Sequence, residues 1–172
     1  MIIDNFLENL IYDPVSYLGI LVFYILLINL PISLVSLFTK KSSVVVRTLT
    51  ILVNFLIAFQ LMFRWIISGH FPISNLYESL YFLVWGISLG QLLIESEYSA
   101  PIIPSIAITT ELLTIAFACF VLPEDLKLSS NLVPALRSSW LIMHVSVVML
   151  SYAALMIGSL LSASVILTSK NN

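Results

Sequence analysis

Charge is what this sequence has least of. Asp, Glu, Lys and Arg make up 9% of its 172 residues, against 60% hydrophobic ones, where a soluble domain carries roughly a quarter charged residues. A core able to hide several apolar runs of about twenty residues exceeds what surface-to-volume scaling gives a chain of this length. Water is therefore excluded as the main solvent. Seven basic residues against nine acidic ones leave a net charge of -2 and no basic stripe, which excludes nucleic acid as a partner. The lone cysteine, Cys119, excludes an internal disulfide and reads as a small apolar residue inside a helix. There is no Gly-rich phosphate loop, no His-Glu-x-x-His and no plausible serine or cysteine triad, so hydrolase and nucleotide chemistries lack their residues. Residues 1–14 carry Asp4, Glu8 and Asp13 but no lysine or arginine. They lack the n-region of a cleaved signal peptide and are expected to be mature sequence. No repeat of about twenty to fifty residues and no low-complexity tract is present.

What is present is long apolar runs. Five segments, 17–38, 44–67, 76–94, 102–122 and 139–167, are each long enough at about 1.5 Å per residue to cross a hydrocarbon core of ~30 Å. The expected fold is all-α, a single polytopic membrane domain with the lipid bilayer as its surroundings. Lys40, Lys41 and Arg47 form the strongest basic cluster and predict that the first loop faces the cytoplasm or stroma. The loops at 68–75 and 123–138 then face outward, although Arg64, Lys127 and Arg137 vote the other way, while Glu95 to Pro101 and Lys170 face inward. Trp65 and Trp140 fall at the outer helix ends, which suits amphipathic indoles.

Both histidines, His70 and His144, lie toward that outer side. His144 sits about six residues, roughly 9 Å, inside the fifth helix, where an imidazole needs a partner or a polar cavity. It heads a stripe of small and polar residues, Ser151, Ala154, Gly158 and Ser162, on one helix face. Such a stripe admits either a neighbouring helix backbone or a flat ligand. Plain helix packing accounts for the residues after Ser151. His70, between Gly69 and Pro72, reads on its own as a loop residue. Asn75 and Glu78 have capping-box spacing, which explains Glu78 without catalysis. Glu111, beside Thr109 and Thr110 in the fourth segment, is a functional-site candidate by its depth alone. The competing reading is a protonated acid bonded to a nearby hydroxyl or to a neighbouring helix. Asn29, Asn54 and Gln60 are milder interruptions expected to face other helices. Two histidines make a poor zinc site, and the coordination chemistry left open is axial ligation of a haem iron.

The stretch from Arg64 to Trp85, Arg-Trp-Ile-Ile-Ser-Gly-His-Phe-Pro-Ile-Ser-Asn-Leu-Tyr-Glu-Ser-Leu-Tyr-Phe-Leu-Val-Trp, closely resembles the CcsA family of cytochrome c assembly proteins. The stretches 132–146, Leu-Val-Pro-Ala-Leu-Arg-Ser-Ser-Trp-Leu-Ile-Met-His-Val-Ser, and 151–162 resemble it too. The resemblance implies haem delivery across a membrane and haem attachment to apocytochrome c bearing Cys-x-x-Cys-His, together with a CcsB-type membrane partner. It implies haem that is bound or transported, since this chain has no Cys-x-x-Cys-His of its own for covalent attachment. His144 matches the first of the family's outward-facing haem histidines, and His70 matches a further family histidine. The implied membrane is the thylakoid, with the bacterial plasma membrane as the alternative. The family's Trp-Gly-x-x-Trp-x-Trp-Asp haem platform is absent, so the chain is expected to be the N-terminal half, incomplete as a synthase on its own. A reading from a different class is a non-enzymatic scaffold or small transporter subunit with Glu111 lining a polar path.

Overall fold

The structure is a computed structural model that describes residues 2–39, 43–97, 100–123, 127 and 139–169. Its helices are α1 (Ile2–Thr39), α2 (Val44–Ser68), α3 (Leu76–Glu97), α4 (Ile102–Ala116) and α5 (Ser139–Ser169), and a π-helical turn, Phe117–Val121, prolongs α4. Five stretches are long and apolar enough to cross a membrane: Tyr17–Thr39, Val44–Ser68, Leu76–Glu97, Ile102–Val121 and Trp140–Ala163. The all-α, multi-pass membrane architecture expected from hydropathy is what the chain adopts. Lys40, Lys41, Arg137 and Lys170, which enter the charge reading of orientation, lie outside the described residues, as does the 132–138 part of the second motif.

α1 packs on α2 and α4, and α3 packs on α2 and α4, closing a ring of four helices. Each contributes a stripe at helical spacing, as in Val22, Leu26, Asn29, Ser33 and Ser36 on α1 and Val46, Thr50, Val53, Ile57, Gln60 and Arg64 on α2. Gly69 ends α2 with φ 68°, the left-handed value glycine adopts without strain, and its N–H donates to Trp65 O at 3.0 Å. Lipid offers no hydrogen bonds, so mid-helix hydroxyls turn back on their own helices. Thr109 and Thr110 donate to the carbonyls of Ser105 and Ile106 at 2.7 and 3.1 Å.

α5 stands outside the ring, packed mainly on α3 and less on α4. Ala153 is its one buried residue among the described ones. The contact is made by small residues: a Cβ added at Gly86 would lie 2.8 Å from Ala153 Cβ, and one at Gly90 would lie 2.1 Å from Ile157 Cδ1. The first obstacle is another helix's Cβ and the second is the tip of a mobile side chain. Gly86→Ala is therefore expected to cost about 1–3 kcal/mol through separation of α5 from α3. Gly90→Ala should cost clearly less, because Ile157 can change rotamer. Unfolding titrations of both variants in mixed micelles check the order, and equal losses would refute it.

Candidate functional site

The end of the bundle that bears both histidines is built on a buried ion pair. Arg64 on α2 is 4% exposed and Glu78 on α3 fully buried, with Arg64 Nη1 3.6 Å from Glu78 Oε1. The guanidinium also lies over the Tyr77 ring, 4.8 Å from its centroid, and donates through Nη2 to Lys127 O. Glu78 Oε2 accepts from Ser74 N–H at 2.8 Å and from the Ser74 hydroxyl at 2.7 Å. Asn75 Oδ1 accepts from Glu78 N–H at 2.9 Å. Glu78 thus caps the helix and also neutralises Arg64. The spacing of Asn75 and Glu78 signalled the cap; the partner of Arg64 gave no local signal. Lys127 Nζ donates to Cys119 O at 2.8 Å, tying the residues after α4 to the same knot.

This knot fixes the loop that carries His70. The imidazole is half-buried, with Nδ1 3.3 Å from Phe71 O. If Nδ1 carries the proton, it donates to that carbonyl, and Nε2 keeps its lone pair. Phe71 packs edge-on against Trp65 (5.1 Å between centroids) and Phe82 (6.0 Å), and Phe82 lies 5.6 Å from Trp85. Gln60 Nε2 donates to Tyr77 Oη at 3.3 Å, and Tyr81 Oη lies 3.3 Å from Cys119 Sγ.

His144 is exposed and makes no hydrogen bond to a described residue. The register of α5 on α3, Ala153 against Gly86 and Ile157 against Gly90, carried outward, sets His144 level with Tyr77. The two histidines therefore share one end of the bundle, His144 beside the first turn of α3 and His70 in the loop that enters it. Ser151, Ala154, Gly158 and Ser162 are all exposed, and a Cβ at Gly158 would meet nothing within 4 Å. The stripe that plain packing was expected to consume is not used by any described helix, because α5 meets α3 through Ala153 and Ile157 instead.

Glu111 is not part of this end. It is fully buried, and neither carboxylate oxygen has a hydrogen-bond partner among the described residues. The hydroxyls of Thr109 and Thr110 are not bonded to it, since both donate to backbone carbonyls. Asn29, Asn54 and Gln60 each reach a neighbouring helix, at Thr50, Ser88 and Tyr77.

A bundle of five helices long and apolar enough to cross a membrane, with an ion pair buried between α2 and α3, is a multi-pass membrane protein. The chain belongs to the cytochrome c assembly protein family, whose model matches residues 73–172, a stretch that includes His144. It is 81% identical over 166 residues to the cytochrome c biogenesis protein CcsA of Prochlorococcus marinus subsp. pastoris strain CCMP1986, covering 96% of this chain and 53% of that relative. It is 80% identical over 171 residues to the protein of the same name from strain AS9601, covering 99% and 55%. At 58% identity, the CcsA of strain SARG matches over 157 residues, covering 91% of this chain and 50% of the relative. The chain thus spans about half the length of the curated relatives it matches.

Proposed function

We propose that this chain acts in c-type cytochrome biogenesis as the N-terminal, five-helix part of a haem-handling assembly, in which His144 would hold haem through its imidazole. One observation carries the reading: an imidazole exposed on a helix face that the described residues leave uncovered, above a run of small residues. The fit to haem is chemical and steric. A free imidazole supplies the ligand atom, and small side chains at 151, 154 and 158 let a flat macrocycle or a further helix come close to the α5 backbone. His70 is a second candidate, since proton donation from Nδ1 to Phe71 O would leave Nε2 for coordination or for contact with the client protein.

Haem's own contribution when bound is its vinyl groups, which join the thiols of a Cys-x-x-Cys-His motif on apocytochrome c. The chain's residues orient and hold. His144 would hold the haem iron, and the Arg64–Glu78 knot fixes the loop of His70. Positioning, rather than a protein nucleophile, then lowers the barrier. The partners this role calls for are apocytochrome c, a CcsB-type membrane protein and the remaining half of the family's chain. Because the relatives are cyanobacterial, the membrane we assign is the thylakoid, with the histidine end facing the compartment where cytochrome c matures.

The test is an absorption spectrum of the chain purified after coexpression with the remaining half and the CcsB-type partner. A haem band in the wild-type complex, lost or displaced in His144→Ala, supports the assignment. A band unchanged by His144→Ala overturns the ligand, and no band in either moves the function to a scaffold or transporter subunit.

A further inference from the structure

The interior of the four-helix ring contains a polar layer that the haem reading does not use. Asn29 of α1 donates from Nδ2 to Thr50 Oγ1 of α2 at 3.2 Å, and Gln91 of α3 donates from Nε2 to the same oxygen at 3.5 Å. Thr50 in turn donates to Val46 O at 3.0 Å. Each donor atom in this group therefore has a partner. The remaining acceptors do not: Asn29 Oδ1, Gln91 Oε1 and both oxygens of Glu111 have no partner among the described residues, in side chains that are 0–1% exposed.

Glu111 belongs to the same level. Ser33 Oγ meets Ser105 Oγ at 2.7 Å, and Tyr81, whose hydroxyl lies against Gly19, touches Cys119. These contacts set α1 antiparallel to α4 and place Glu111 about two residues, ~3 Å along the axis, from the level shared by Asn29 and Gln91. Each helix of the ring thus carries one buried polar side chain at about this level.

Among the described residues, the charged and titratable neighbours leave the layer without a protein cation. The described spans of α1, α3, α4 and α5 contain no lysine or arginine. On α2, Arg47 is exposed and Arg64 is engaged with Glu78 at the histidine end. Tyr77 and Tyr81 lie on the histidine side of the layer, and Glu95 lies one turn beyond Gln91 with an interaction of its own. Tyr17, Tyr24, His144 and Tyr152 are exposed. Four acceptor oxygens with no partner among the described residues, in a medium that offers no donor, are matched by a small positive ion.

We propose that Glu111, Asn29 and Gln91 form a buried site for an exchangeable monovalent cation, a proton or Na+, inside the four-helix ring. It stands apart from the haem reading and would give the ring an ion-exchanging role of its own. Infrared spectroscopy of the full chain in lipid, with and without sodium, separates the two occupants. A carboxylic-acid carbonyl band present in wild type, wholly lost in Glu111→Gln and indifferent to sodium identifies the proton. A band that sodium abolishes, or a carboxylate band that sodium shifts, with either change absent from Glu111→Gln, identifies Na+. If neither band depends on Glu111, at acidic or alkaline pH, the proposal is overturned. Should Glu111→Gln not insert, carbodiimide modification of the wild-type chain decides. An adduct at Glu111 that is suppressed by sodium or by alkaline pH sustains the site, and adducts confined to other carboxylates overturn it.

Discussion

Arg64→Met is expected to destabilise the chain by about 3–5 kcal/mol, because it strands the buried carboxylate of Glu78 among apolar neighbours. The size follows from burial: both side chains are almost wholly inaccessible, so water cannot take over the solvation that the guanidinium gave. Glu78→Gln in the same chain should recover most of the loss, since a neutral amide oxygen can still accept from Ser74 while the unpaired charge is gone. The double variant is therefore expected within about 1–2 kcal/mol of wild type. Denaturant titration in mixed micelles reads both values. Equal losses in the single and double variants would show that the cation–π contact with Tyr77 and the bond to Lys127 O carry the effect instead. The same change should loosen the loop of His70, whose flanking residue Ser74 is bonded to Glu78.

The second large effect concerns the uncovered face of α5. Gly158→Leu is expected to leave the stability of this chain within about 0.5 kcal/mol of wild type, because a Cβ there meets nothing within 4 Å, the position is exposed and leucine suits a helix better than glycine. In the coexpressed complex the same change should lower haem retention more than tenfold, because a branched side chain holds any flat ligand or further helix away from the backbone. Unchanged retention would place the haem contact elsewhere. A loss of stability in the isolated chain would mean that α5 uses this face for its own packing.

Hydropathy alone revealed five membrane helices, and the Asn75–Glu78 spacing revealed how α3 begins. Both are local properties: a run long enough for the bilayer, and a side chain three residues from the N–H it caps. The Arg64–Glu78 pair was hidden because it joins two helices across a loop, and nothing in the order of residues says which buried acid a buried arginine will meet. The small-residue stripe of α5 was visible, but not its use. What decides the packing is the pair Gly86 and Gly90 on α3, whose groove takes Ala153 and Ile157. Glu111 was conspicuous by its charge. Its companions were not, since Asn29, Thr50 and Gln91 are ordinary polar residues until three helices bring them to one hydroxyl.

The way α5 rests on the bundle bears on how the chain is made. Every contact that closes the ring lies among α1 to α4, so those helices can assemble while later segments are still leaving the ribosome. α5 then joins the finished ring from outside, setting Ala153 and Ile157 against Gly86 and Gly90 of α3 and Met149 against the core, while the face of Ser151, Ala154, Gly158 and Ser162 stays uncovered by the described residues.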